Sequence, residues 1–190
     1  MADIIKDIIK ESIRVKEAVL SKLSKEIKTA ASMIAASLKK GGKVILFGNG
    51  GSAADSQHIA AEFVGRFKLE RQGLASIALT TNTSIITSIA NDYGYEEIFS
   101  RQVEAIGSDN DIVIGISTSG NARNVIAGLL EAKKMGLKAI ALTGSGGGEM
   151  ATIADLALIV PSDNTARVQE AHIVVGHIIC ELVEQNLFGK

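Results

Sequence analysis

Disulfides are excluded first, because the 190-residue chain carries one cysteine, Cys180. A single thiol can neither close an intramolecular bridge nor build a multi-thiolate zinc site. Charge of one sign is missing as well. Twenty Lys and Arg against 21 Asp and Glu leave a formal net charge of −1. Without a basic surplus to collect phosphates by counterion release, no nucleic acid or membrane partner is expected. Every long stretch is interrupted by a charge or a glycine, so no run of about eighteen apolar residues is available to span a bilayer. The opening MADIIKDIIKESIRVKE alternates charge with isoleucine, unlike the unbroken apolar core of a secretory signal. These exclusions lead to the expectation of a cytoplasmic protein with one globular core, for which 46% apolar residues suffice.

Proline is nearly absent, a single residue against nineteen glycines. The glycines gather at Gly41-Gly42, Gly48 to Gly51, Gly115 to Gly120 and Gly144 to Gly148. Clusters of this kind mark turns where the backbone must approach something closely.

Residues 3–38 read as one helix. Ile5, Ile9, Ile13, Leu20, Leu23, Ile27, Ile34 and Leu38 recur at helical spacing with Lys and Glu between them. A helix that long overhangs a small globule, so residues 1–40 are expected to serve as an oligomer contact and 41–190 to form the main domain. Beyond Gly42 short apolar runs alternate with amphipathic segments. KVILFG (43–48), ASIALT (75–80), DIVIGI (111–116), KAIALT (138–143) and DLALIV (155–160) read as strands. Helices are expected near 52–66, 83–90, 95–106, 121–135 and 165–187. The strands are almost continuously apolar, as parallel strands covered on both faces are. Alternating strand and helix predicts an α/β, three-layer α-β-α sandwich with ligands bound beyond the carboxyl ends of the strands.

Two of the loops at that end could hold an anion. Gly48-Asn49-Gly50-Gly51-Ser52 formally meets the dinucleotide pattern through Gly48, Gly50 and Ala53. The second strand, however, ends on Thr80, Thr81 and Asn82 instead of the acid that would hold a ribose. No G-x-x-x-x-G-K-[ST] occurs, which removes the P-loop. The second loop, Ser117-Thr118-Ser119-Gly120-Asn121, opens a helix. An ordinary N-cap explains one hydroxyl; three in succession, with free N–H groups and a positive helix end, make an anion cradle.

The three histidines lie in two expected helices. His58 and Glu62 are four residues apart and share one helix face, continued by Arg66. Such pairs are common on solvated surfaces, but the segment SAADSQHIAAEFVG is otherwise small and apolar. In the last helix Gln169 and His177 stand eight positions apart, about 80° around and roughly 12 Å along the axis. Gln169 with His172 suits the spacing equally well. Imidazole, carboxylate and amide form a credible zinc shell, and an acid and a base facing one substrate is the competing reading.

Taken together, GNGGSAADSQHIAAEFVGRF, ALTTNTSIITSIANDYGYEEIFSRQVEAIG, GISTSGNARNVI, ALTGSGGG and RVQEAHIVVGH resemble the sugar isomerase (SIS) family, and within it the phosphoheptose isomerases. The resemblance runs over nearly the whole chain. It implies a five-stranded parallel sheet of flavodoxin-like type, a homotetramer with sites at subunit interfaces, and a sugar phosphate as the small-molecule partner. The family's substrate positions fall on Asn49, Gly50, Gly51 and Ser52, on Asn91 and Asp92, and on the phosphate cradle Ser117, Thr118 and Ser119. Its metal positions fall on His58, Glu62, Gln169 and His177, with one Zn2+ per subunit. Glu62 and His177 are its catalytic residues, and Glu62 and Gln169 also touch substrate. The implied reaction turns sedoheptulose 7-phosphate into D-glycero-D-manno-heptose 7-phosphate through an enediol, the first step toward ADP-heptose for lipopolysaccharide and other surface glycans. Some members carry a serine just after the Ser-Gly-Asn turn where this chain has Ala122, so one phosphate hydrogen bond is expected to be lost or taken over by water. A paralogue of the same fold is no enzyme and binds the bacterial replication initiator; it lacks the acid that stands here as Glu62. A regulatory phosphosugar-binding SIS module is a third reading, and would need the cradle but no His/Glu pair.

Overall fold

The computed structural model describes residues 2–189. Five strands form one all-parallel sheet: β1 (Val44–Gly48), β2 (Ser76–Ala78), β3 (Ile112–Ser117), β4 (Lys138–Thr143) and β5 (Leu156–Ile159), in the order β2-β1-β3-β4-β5. Seven helices surround it: α1 (Ala2–Lys39), α2 (Gly51–Val64), α3 (Thr83–Asp92), α4 (Ser100–Ile106), α5 (Arg123–Lys134), α6 (Met150–Ile153) and α7 (Thr165–Phe188). This is the expected three-layer sandwich, with the flavodoxin-like strand order.

Side chains alternate between the two faces of a strand. In β1, Val44 and Leu46 enter the core beneath α1, α2 and α7, while Ile45 and Phe47 enter the one beneath α4 and α5. In β1 and β3, and in β4 beyond Lys138, both faces are dry, which is why these strands read as unbroken apolar runs. The edge strand β2 pairs with β1 alone and keeps three residues of the six expected. The expected helix over 95–106 is instead a 3-10 turn, Tyr95–Glu97, followed by α4. That break lets Ile98 and Phe99 both enter the core, where the Phe99 ring stacks on Phe47 at 5.0 Å.

α1 is 38 residues long, roughly 57 Å at 1.5 Å per residue. Val15, Val19, Leu23, Ile27, Ala30, Ala31 and Ile34 form its buried stripe. Ser12 still donates to Glu170 and Glu11 accepts from Asn164; ahead of them the helix leaves the globule. Ile4, Ile5, Ile8, Ile9 and Ile13 are 46–62% exposed. α2 and α7 lie side by side and run in the same direction, because Asp55 meets Gln169, His58 meets His177, and Phe67, just past α2, meets Glu184. Gly176 sets their spacing: a Cβ there would sit 2.5 Å from the Ile59 Cδ1. Among the described residues no helix is long and apolar enough to cross a membrane.

Candidate active site

From adjacent strands β1 and β3 the chain leaves toward opposite faces of the sheet, into α2 and α5. The loops that follow these strands therefore meet at a topological switch point, where ligands of such sheets bind. Gly50 turns the first loop at φ 54°, a conformation that favours glycine. At Gly48 a Cβ would lie 2.7 Å from the Ile116 carbonyl oxygen. The two loops are joined by an amide pair. Asn49 Nδ2 donates to Asn124 Oδ1 at 2.8 Å, Asn124 Nδ2 donates to Asn49 Oδ1 at 2.9 Å, and the Tyr95 hydroxyl donates to the same Asn49 oxygen at 3.1 Å. Ser52 is buried beneath this loop in the first turn of α2.

The hydroxyl loop is held from below. Ser117 and Ser119 Oγ lie 3.4 Å apart, and the Gly120 N–H returns to the Ser117 carbonyl. The glycine loop 144–148 braces it: Gly144 N–H donates to the Thr118 carbonyl, and Glu149 N–H donates to Asn121 Oδ1. Gly120 has φ 69°, and a Cβ there would fall 2.1 Å from the Gly147 carbonyl oxygen. The following helix, α5, has Ala122 at its N-cap with no side-chain cap bond. The start of α7 reaches the first loop and the glycine loop, since Gln169 lies against Gly51 and Val168 against Gly144.

On the facing sides of α2 and α7, His58, Glu62 and His177 place one donor atom each within 4.8 Å of the others. His58 Nε2 stands 3.3 Å from Glu62 Oε1 and 2.9 Å from His177 Nε2. Two ring nitrogens meeting head-on share one proton or one cation, and a cation there would also engage the Glu62 carboxylate. Tetrahedral zinc with bonds of about 2.0–2.1 Å sets its ligand atoms about 3.3 Å apart; the His58–Glu62 separation matches that spacing, while the two imidazole nitrogens, at 2.9 Å, stand closer than such an ion would hold them. The Phe67 ring covers His177 with centroids 5.4 Å apart. Phe67 is held in turn by Glu184, which accepts the N–H groups of Phe67, Lys68 and Leu69 and the Arg71 Nε.

Gln169 does not lie loose beside this group. Its Nε2 donates to Asp55 Oδ1 at 2.7 Å. Asp55 is 4% exposed and its Oδ2 has no partner. Burial pushes its pKa up to about 6, against the lowering pull of the Gln169 bond and the His58 charge. His172 faces away from the site. It stands five residues before His177, about 140° around the helix, is fully buried, and bonds through Nε2 to the Thr143 carbonyl at 3.0 Å. Burial holds its pKa down at about 4. Asn91 and Asp92 end α3, exposed, and among the described residues they hydrogen-bond to each other, Asn91 Nδ2 to Asp92 Oδ1 at 2.9 Å. Cys180 is buried and its thiol is pushed up to about 12, which removes it as a nucleophile at neutral pH.

The SIS domain model matches residues 8–144. The chain belongs to the SIS-domain family. Three similar proteins are named phosphoheptose isomerase. A phosphoheptose isomerase from Aquifex aeolicus is 56% identical over 185 residues, covering 97% of each chain. The structure of a phosphoheptose isomerase from Neisseria gonorrhoeae superposes with a TM-score of 0.93 at 42% identity, covering 97% of this chain and 98% of that one. A Francisella tularensis phosphoheptose isomerase gives a TM-score of 0.94 at 37% identity with the same coverage.

Several residues that build this SIS site carry no sequence signal strong enough to single them out. Asn124 and Tyr95 reach Asn49 from 75 and 46 positions away. Phe67 reads as an ordinary apolar residue after a helix. Asp55 alone had a clue, standing one helical turn before His58 in an otherwise small, apolar segment.

Proposed function

We propose that this SIS protein is an aldose–ketose isomerase that converts sedoheptulose 7-phosphate into D-glycero-D-manno-heptose 7-phosphate, the entry reaction to ADP-heptose for surface glycans. The observation that carries the reading is the convergence of Glu62 with His58 and His177 across α2 and α7. A binding module needs the hydroxyl cradle but has no use for a carboxylate pointed at two imidazoles.

In this reading Ser117, Thr118 and Ser119 take the phosphate, aided by the N-terminus of α5. Asn49, Gly50, Gly51, Ser52, Asn91, Asp92 and Gln169 hold the sugar chain. Glu62 removes the proton from the carbon beside the carbonyl and returns it to the neighbouring carbon after the enediol has formed. His177 moves the proton between the two oxygens, so that one carbonyl is consumed as the other appears. His58, Glu62, Gln169 and His177 would hold zinc, which when bound supplies Lewis-acid polarisation of the carbonyl. Phe67 screens His177 from bulk water.

The same reading places the protein in the cytoplasm, as a homotetramer with sites at subunit interfaces. Residues 1–40 serve as the contact segment and 41–190 as the catalytic domain. The exposed isoleucines of α1 support this assembly, as does the apolar groove between α1 and α7 lined by Val19, Leu20, Ile27, Val174, Ile178 and Leu182.

The test is isomerisation of sedoheptulose 7-phosphate by the purified protein, with and without a chelator, beside Glu62→Gln. Turnover is expected in the wild type. In the variant it should fall by at least the 10²–10⁴-fold that a positioned acid–base group supplies, with substrate binding retained. Substantial turnover by the variant would remove Glu62 as base. No turnover by the wild type in either state would favour a phosphosugar-binding or protein-binding role.

A further inference from the structure

We infer that Asp55 is a positioning residue: it fixes the Gln169 amide so that the NH2 group is committed to protein and the carbonyl oxygen is the atom presented to the site. The inference rests on the reading of Gln169 as a metal and substrate residue given above. An ionised carboxylate has only acceptors. At 2.7 Å from Asp55 Oδ1, the Gln169 atom must therefore be its nitrogen. Rotating the amide by half a turn would press two oxygens together. Only an oxygen can serve a cation or accept from a sugar hydroxyl, so the orientation that Asp55 imposes is the useful one.

Three observations separate this from ordinary core packing. Asp55 is 4% exposed, and its second oxygen is buried without a partner. A buried carboxylate half unsatisfied is costly, and a leucine or asparagine would fill the same space at less cost. Asp55 also stands one turn before His58 on α2. Yet Asp55 is not among the residues whose donor atoms gather within 4.8 Å. It therefore acts through Gln169. Outer partners of this type orient ligands, and their loss typically weakens metal binding about 10–100-fold.

The experiment is a double-mutant cycle on zinc affinity by chelator competition, using wild type, Asp55→Leu, Gln169→Ala and the double variant. Asp55→Ala replaces Asp55→Leu if the latter does not fold, as judged by thermal unfolding of the metal-free proteins. Asp55→Asn is added because its carbonyl still accepts the Gln169 N–H. Asp55→Leu should weaken zinc about 10–100-fold, Asp55→Asn should restore most of the affinity, and the double variant should bind no worse than Gln169→Ala. Unchanged affinity in Asp55→Leu, equal losses in Asp55→Asn and Asp55→Leu, or losses that add would each overturn the inference. If the wild type binds no zinc, the metal reading fails on its own. The same four proteins titrated with sedoheptulose 7-phosphate then decide: losses that do not add uphold the positioning role, and additive losses refute it.

Discussion

Replacing Glu184 with alanine should loosen the corner of the molecule that shields His177. Glu184 and Arg71 are almost wholly buried, with side chains 1% and 2% exposed, and they form an ion pair of 2.9 Å. Burial alone, the strongest single influence, would raise the Glu184 pKa. The N–H groups of Leu69, Lys68 and Phe67, together with Arg71, outweigh it and hold the carboxyl below its ordinary range. Truncation removes all four bonds at once. It also leaves the guanidinium buried without a counter-charge, although Arg71 keeps the carbonyls of Glu62, Phe63, Gly65 and Gln72. Breaking a buried pair from one side costs about 3–5 kcal/mol. In a chain of this size each kcal/mol lowers Tm by about 2–4 °C, so the melting temperature should drop by roughly 6–20 °C. Thermal unfolding followed by circular dichroism measures that directly. Turnover at 25 °C should fall too, because the residue 67–69 corner no longer fixes Phe67 over His177. A Tm within 2 °C of wild type would refute the reasoning, since it would mean that the clamp contributes nothing net.

Two further outcomes follow from the same structure. Ala122→Ser supplies an oxygen at the bare N-cap of α5, where one hydrogen bond is worth about 0.5–1.5 kcal/mol. KM for the sugar phosphate should fall about 2- to 13-fold with kcat little changed, and an unaltered KM in steady-state kinetics would refute this. His172 is buried with its pKa held at about 4 rather than 6.5. Between those values the unfolded chain binds a proton that the native chain refuses. Stability from this group is therefore full above pH 6.5 and lost as the pH falls toward 4. Urea unfolding at pH 7.5 and 4.5 should show a drop about 2–3 kcal/mol smaller in His172→Gln than in wild type; equal drops would sink the claim.

The layered sheet was legible because β1, β3 and β4 are dry on both faces, and the amphipathic helices between them are spaced for crossovers. β2 was only half legible: Ala75 and Leu79 continue the apolar run, but an edge position pairs just Ser76, Ile77 and Ala78. His58 and Glu62 were visible as a helical pair. Choosing between His172 and His177 required knowing which face of α7 meets α2, and that depends on Gly176 letting Ile59 approach. Asp55 and Asn124 were not legible as supports, because their partners are 114 and 75 positions away and no periodicity encodes such a meeting.

The docking of α7 on α2 also has a meaning in time. His58 and His177 are 119 positions apart, so all five strands, four of them after His58, have been made before the second imidazole exists to meet the first. No fragment ending before α7 can be partly active, however well its sheet has formed. The His58–Glu62–His177 group is thus a report on completion: it comes into being when the final helix settles into place, and no unfinished chain carries it.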